Sequence, residues 1–145
     1  MPTQLVNYTE QINFVNTKGE SVLGSAYNIT GAIGNYEDTG LSITLPSSGT
    51  YFIYSNASAV LAPSTGLSWF IVVKLYNSTD AADVANSERM CALTYTITDI
   101  IELTGTINIT ISVNASKTIK LYAKRDGTGA PTFSASSIFS DANGR

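Results

Sequence analysis

The chain has 145 residues, only 13% of them charged, with a formal net charge of -3 and no histidine. Its eight Lys and Arg are scattered rather than clustered, which leaves no electrostatic footprint for a phosphate backbone and speaks against nucleic acid as a partner. A single cysteine, Cys91, excludes an internal disulfide, and the length suits one domain whose stability comes from packing or assembly.

No apolar run approaches a bilayer span, and Met1-Pro2-Thr3-Gln4 lacks the basic start and apolar stretch of a secretory signal. A soluble chain made in the cytoplasm is expected, with no membrane partner. Residues 1–25 open with two short strand-like pieces, 4–8 and 11–15, and the turn signal Thr17-Lys18-Gly19. They read as an N-terminal arm with Leu5, Tyr8, Ile12 and Phe14 as its apolar contacts, adding a strand to the domain or reaching onto a neighbour. The domain proper is expected over residues 26–145. Gly31 and Gly34 mark bulge or close-approach positions, followed by a polar loop to Thr39.

Leu41, Ile43 and Leu45 alternate with Ser42 and Thr44, the period of a strand with one buried face. Pro46-Ser47-Ser48-Gly49 then reverses the chain, and the pattern predicts a central hairpin whose second strand begins at Thr50. Tyr51 and Ile53 share one face of that strand, and Phe52 and Tyr54 the other. Apolar groups on both faces indicate a strand held between core and partner. Residues 67–76 are the most apolar strand, with Trp69, Ile71 and Val73 on one face and Phe70 and Val72 on the other. A long polar connection, 77–89, follows.

Residues 90–98 resume the alternation, and Cys91 among Met90, Ala92 and Leu93 reads as a small buried hydrophobe. Ile107, Ile109, Ile111 and Val113 alternate without error against Thr106, Asn108, Thr110 and Ser112. Ile119, Leu121 and Ala123 return opposite Lys120, Tyr122 and Lys124. A turn-rich loop, 125–131, precedes a last strand over 132–140, and the chain closes on Asp141-Ala142-Asn143-Gly144-Arg145. No amphipathic helix is legible. Short strands punctuated by Gly, Pro and Asn predict an all-β antiparallel sandwich of about eight to ten strands, best fitted by a jelly roll.

The run LPSSGTYFIYSNASAV resembles the strand-turn-strand of tumour-necrosis-factor-like and C1q-like jelly rolls, in which a Pro-x-x-Gly-x-Tyr segment feeds a buried aromatic strand. KLYNSTDAADVANSER, TGTINITISVNASKTIKLYAKRDGTG and SSIFSDANGR look more specifically like the C1q-like domains of bacteriophage virion proteins, over roughly residues 41–145. The resemblance implies a compact homotrimer that binds or builds rather than catalyses. Phe52, Tyr54, Trp69, Phe70 and Tyr122 are the candidate trimer interface, with core packing as the plainer reading of each. In the phage relatives, Asp-x-Asn-Gly-Arg looks like the lead into a final strand. Its absence here implies an edge completed by another chain or a missing end.

Little points to catalysis. Without histidine the commonest general base and zinc ligand are gone, and Cys91 has no activating partner of the Cys-His kind. Asp80, Asp83 and Glu88 share a loop and suit calcium by residue type, although a solvated acidic loop explains them more simply. Glu37 and Asp38 are adjacent, which says nothing of the carboxylate separation a glycosidase needs. No enzyme and no cofactor are expected.

The expectation is therefore a trimeric structural protein of a phage particle, located in the virion after synthesis in the host cytoplasm. Its partners would be itself and other virion proteins such as the major capsid protein. The absence of a heptad or repeat shaft ahead of the domain favours capsid decoration, cement or head fibre. The alternative is the receptor- or carbohydrate-binding tip of a tail fibre, in which Trp69 and surface tyrosines would stack on a host glycan.

Overall fold

The structure, a computed structural model, describes residues 19–64, 68–94, 100–102, 104–129 and 131–139. Its described residues form ten strands and no helix. In chain order these are β1 (Tyr27–Asn28), β2 (Glu37–Leu45), β3 (Gly49–Pro63), β4 (Trp69–Asn77) and β5 (Ala82–Asp83), then β6 (Arg89–Thr94), β7 (Ile100–Glu102), β8 (Thr104–Val113), β9 (Lys117–Gly127) and β10 (Phe133–Phe139). The arm candidates Leu5, Tyr8, Ile12 and Phe14, and the closing residues from Ser140 onward, lie outside the described residues.

Two antiparallel sheets pack face to face. The first has the order β1-β10-β3-β8 and the second β2-β9-β4-β6-β7, with β5 added to β4. Period-2 alternation builds the core between them, because one set of side chains from each strand must leave water. Ile53, Ala57, Ala59 and Leu61 of β3 and Ile107 of β8 meet Trp69, Ile71, Val73 and Leu75 of β4 and Ile119, Leu121 and Ala123 of β9. Trp69 is fully buried, and its ring meets Phe133 edge-on with centroids 5.1 Å apart. Gly127 has to be small here, because a Cβ would strike the Ser68 carbonyl and the Trp69 ring.

The central hairpin is not formed. β2 pairs with β9 in the second sheet, whereas β3 pairs with β8 and β10 in the first. The turn at 46–49 reverses the chain, with the Tyr51 hydroxyl donating to the Ser47 carbonyl at 3.0 Å, but carries it across the sandwich. A turn signal encodes reversal, and the partner of the returning strand is chosen by burial. The connection 77–89 is likewise more ordered than a polar loop. It folds back as β5 on the end of β4, with Asn77 opposite Ala82. Buried Ser87 holds its far side by accepting from the Leu75 N–H and donating to the Val84 carbonyl.

Candidate interaction surface

Charge is divided between the sheets. The strands of the first sheet, β1, β3, β8 and β10, contain no Asp, Glu, Lys or Arg. The second holds Lys74, Arg89, Lys117, Lys120, Lys124 and Arg125, six of the chain's eight cations.

On the first sheet, β3 and β8 run in unbroken register from Gly49 opposite Val113 to Ser58 opposite Thr104. Their inward residues are apolar except for Ser55. Their outward residues form a ladder in which Thr50 meets Ser112 at 2.9 Å, and the Thr106 hydroxyl donates to Asn56 Oδ1 at 2.8 Å. Asn56 in turn donates to the Tyr54 hydroxyl at 2.6 Å. In the middle of this uncharged ladder stand Phe52 and Tyr54, 65% and 59% exposed. Two exposed aromatics two residues apart on an uncharged strand form an apolar patch of that face.

Beside β3 the sandwich is open. β10 pairs with β3 only over Ser58 to Pro63, and among the described residues nothing pairs with Gly49–Ala57 on that side. A groove of about 620 Å³ enters there between the sheets, floored by Leu41, Ile43, Ile53, Leu75, Ile119 and Leu121. Gly19 to Val22 run along its rim.

The outer face of the second sheet is a checkerboard of cations and rings. The register sets Lys74 opposite Tyr122 and Tyr76 opposite Lys120, and the two tyrosines stack with centroids 4.7 Å apart. Each lysine is matched: Lys74 to Asp83 at 2.6 Å, Lys120 to Asp38 at 2.6 Å, and Lys124 to Asp126 at 3.0 Å. Lys74 also lies over the Tyr36 ring, 3.9 Å from its centroid. Burial, together with the hydrogen bond it donates to Glu88 at 2.7 Å, pushes the Tyr36 hydroxyl far above its ordinary titration range. Burial works against ionisation of Asp38. The hydrogen bonds from Lys120 and the Gly40 N–H, with the Lys120 charge, nevertheless hold its carboxyl below the usual range. The same contact raises Lys120.

The five aromatics grouped as an interface are thus split. Phe52 and Tyr54 stand on the first sheet's outer face, while Phe70 and Tyr122 are half-buried on the second's. Trp69 lies inside the subunit, where it offers no surface to a partner or a sugar, because its alternation places it between the sheets. The acids weighed as calcium ligands are tied to separate partners: Asp80 to Lys117 at 2.5 Å, Asp83 to Lys74 and Glu88 to Tyr36. Glu37 accepts from the Thr30 and Gly31 N–H groups at 2.9 and 2.8 Å, and holds the loop between β1 and β2. Cys91 is fully buried and its thiol is pushed up to about 12 by that burial, far from a nucleophile's range. The division of charge was missed in the sequence, although 49–63, 104–113 and 133–139 each lack a charged residue.

No protein family matches this chain, and no curated protein does. Among solved structures it is similar to a chain of the infectious bursal disease virus Gx strain, with a TM-score of 0.32 and 11% identity. That likeness covers 74% of this chain and 32% of the viral one.

Proposed function

We propose that the chain is a non-enzymatic structural subunit of a virion, a jelly roll that forms a homotrimer through the uncharged outer face of its first sheet. The order of the strands supports the jelly-roll reading. Along the chain β1 and β3 alternate with β2 and β4, β6 stays beside β4 in the second sheet, and β8 and β10 alternate with β9; with the orders β1-β10-β3-β8 and β2-β9-β4-β6 this is the arrangement that two nested Greek keys produce.

The observation that carries the assembly is Phe52 and Tyr54 exposed on the one sheet that has no charge. Interface centres are depleted in charge and enriched in aromatics, because desolvating an ion costs more than its contacts return. Such a face built into every copy favours assembly of copies with one another, and the phage C1q-like resemblance implies that this assembly is a trimer. The N-terminal arm, with Leu5, Tyr8, Ile12 and Phe14, is the attachment element to the major capsid protein. Three arms engage together and multiply a weak contact. Capsid cement, decoration or head fibre is the role this assigns.

Light scattering on the purified protein tests the assembly, with a mass near three chains expected. Phe52→Lys should remove the three-chain species, leaving one chain at dilute loading, with the circular dichroism unchanged. A wild-type monomer at every concentration would overturn the reading. Deletion of residues 1–25 should abolish incorporation into particles and leave the trimer intact.

A second reading, the carbohydrate-binding tip of a tail fibre, draws on the stacked Tyr76 and Tyr122 between Lys74 and Lys120. A flat ring pair bordered by hydrogen-bond donors suits a sugar face. Saturable binding on a glycan array, lost in Tyr122→Ala, would move this reading ahead of the first.

A further inference from the structure

The first sheet ends in β8, and this edge differs from the other three. β1 is two residues long, and β7, three residues long among the described residues, carries Glu102. β2 carries Glu37 and Asp38, and its register with β9 slips between Asp38 and Ser42 around Gly40, whose φ of +83° needs a glycine. Brevity, charge and a bulge are the devices by which natural edges avoid pairing with other chains. β8 has none of them. It is ten residues long with no charge and no proline, its register with β3 is unbroken, and among the described residues no strand flanks its far side.

Alternation fixes which backbone groups that edge presents. The Ser136 carbonyl accepts from the Ile29 N–H, so Ser136 faces away from β3. Counting through the registers Ser136 to Leu61 and Ala57 to Gly105, the odd-numbered residues of β8 bond to β3. Thr106, Asn108, Thr110 and Ser112 then direct their N–H and C=O outward. The Thr106 carbonyl does accept from Arg89 Nε, at 3.1 Å. Near this end Gly105 also packs on β6, where a Cβ would lie 2.5 Å from Cys91 Sγ. The open part of the edge is therefore Ile107 to Val113, with Thr110 at its centre.

We propose that β8 pairs antiparallel with β8 of a second copy about a twofold axis through Thr110, joining two first sheets into one. The residue order is self-complementary about that axis. Asn108 faces Ser112, Ile109 faces Ile111, and Ile107 faces Val113, so amide meets hydroxyl, apolar meets apolar, and no like charges oppose each other. The outward groups of Asn108, Thr110 and Ser112 supply the new ladder, and among the described residues no existing bond is broken to form it. Phe52 and Tyr54, which neighbour Thr110 and Asn108 in register, become part of one uncharged surface spanning both copies. The pairing does not depend on the trimer reading, and a trimer that has it would associate in twos through its edges.

Thr110→Pro tests this without touching the subunit's own ladder, since it removes an N–H that points away from β3. Light scattering across a concentration series should show the wild-type mass doubling, and Thr110→Pro should need about tenfold or more protein to do the same. Thr110→Cys gives a second measurement. Opposed residues of a hydrogen-bonded antiparallel pair lie about 5.5 Å apart at Cα, within disulfide reach. Oxidation should yield a covalent pair from Thr110→Cys and not from Thr104→Cys, whose copies the axis separates widely. The covalent pair should persist when Phe52→Lys is added, which distinguishes the edge from the face. The proposal is overturned if the wild-type mass never doubles, if Thr110→Pro doubles like wild type, or if Thr110→Cys links no better than Thr104→Cys. Loss of the link in the Phe52→Lys background would equally overturn it and leave the trimer face standing.

Discussion

The two sheets share one core and differ in almost everything outside it. On the second, six cations sit among aspartates, glutamates and tyrosines, each ammonium or guanidinium held within contact distance of an acid, a carbonyl or a ring. On the first there is no charge at all, and water meets hydroxyls, amides, Phe52 and Tyr54. Both solutions satisfy the polar face of a half-buried sheet, but only the charged one resists association, because bringing ions out of water is costly. The difference is the reason the proposed assembly is placed on the first sheet.

The largest effect is expected where the sheets are indistinguishable, in the core. Trp69→Ala should cost about 3–5 kcal/mol, read from urea unfolding, because the ring fills space between β4 and Phe133. Trp69→Phe should cost much less, since the buried indole Nε1 has no hydrogen-bond partner among the described residues. If the two variants were equally destabilised, packing would not be what Trp69 contributes.

Arg125→Ala comes next, because this residue bridges the contrast. From β9 in the charged sheet its guanidinium donates to the carbonyls of Ile29 and Gly31 at 2.9 and 3.0 Å, next to β1 of the uncharged one. It also lies 4.5 Å from the Phe133 ring centroid. A loss of about 1.5–3 kcal/mol is expected, with Lys a poor replacement because it lacks the fork. Amide exchange should rise first around Ile29. Exchange that accelerated evenly over both sheets would remove the idea of a local tie.

Phe52→Lys sharpens the comparison by making the first sheet resemble the second. Its effect on the isolated subunit should stay within about 0.5 kcal/mol, as for other exposed positions, so a shift in thermal midpoint larger than that would return Phe52 to the core. The smallest effect belongs to Asp38→Asn. Asp38 is depressed on folding, so the pair with Lys120 stabilises above the ordinary carboxylate pKa and loses this contribution as pH falls through the lowered value. Lys120 is raised, so its share is present below the ordinary lysine pKa and fades as pH climbs through the raised one. The stability gap between wild type and Asp38→Asn should therefore be flat around neutrality and close in acid. A gap that widened in acid would contradict the pairing.

Much of this was legible along the chain. The alternation of Ile107 to Val113 located β8 and its buried face, and the setting of Cys91 between Met90 and Ala92 marked it as interior. The apolar run ahead of Tyr76 located β4. What failed were inferences that needed a partner. Pro46 to Gly49 read as a hairpin although β2 and β3 lie in different sheets, and Trp69 was grouped with Phe52 although one is buried and the other exposed. Periodicity tells two faces apart without saying which faces the core when both are aromatic or aliphatic.

By itself, then, the sequence determined the all-β class, the positions of most strands and which residues share a face, because these follow from local geometry repeating every two residues. Only the tertiary structure decided which strands are neighbours, that every charged strand residue collects in one sheet, and that among the described residues no strand covers the edge of β8. Those properties depend on pairings between residues far apart in the chain, and a strand's pattern is the same whichever partner it takes.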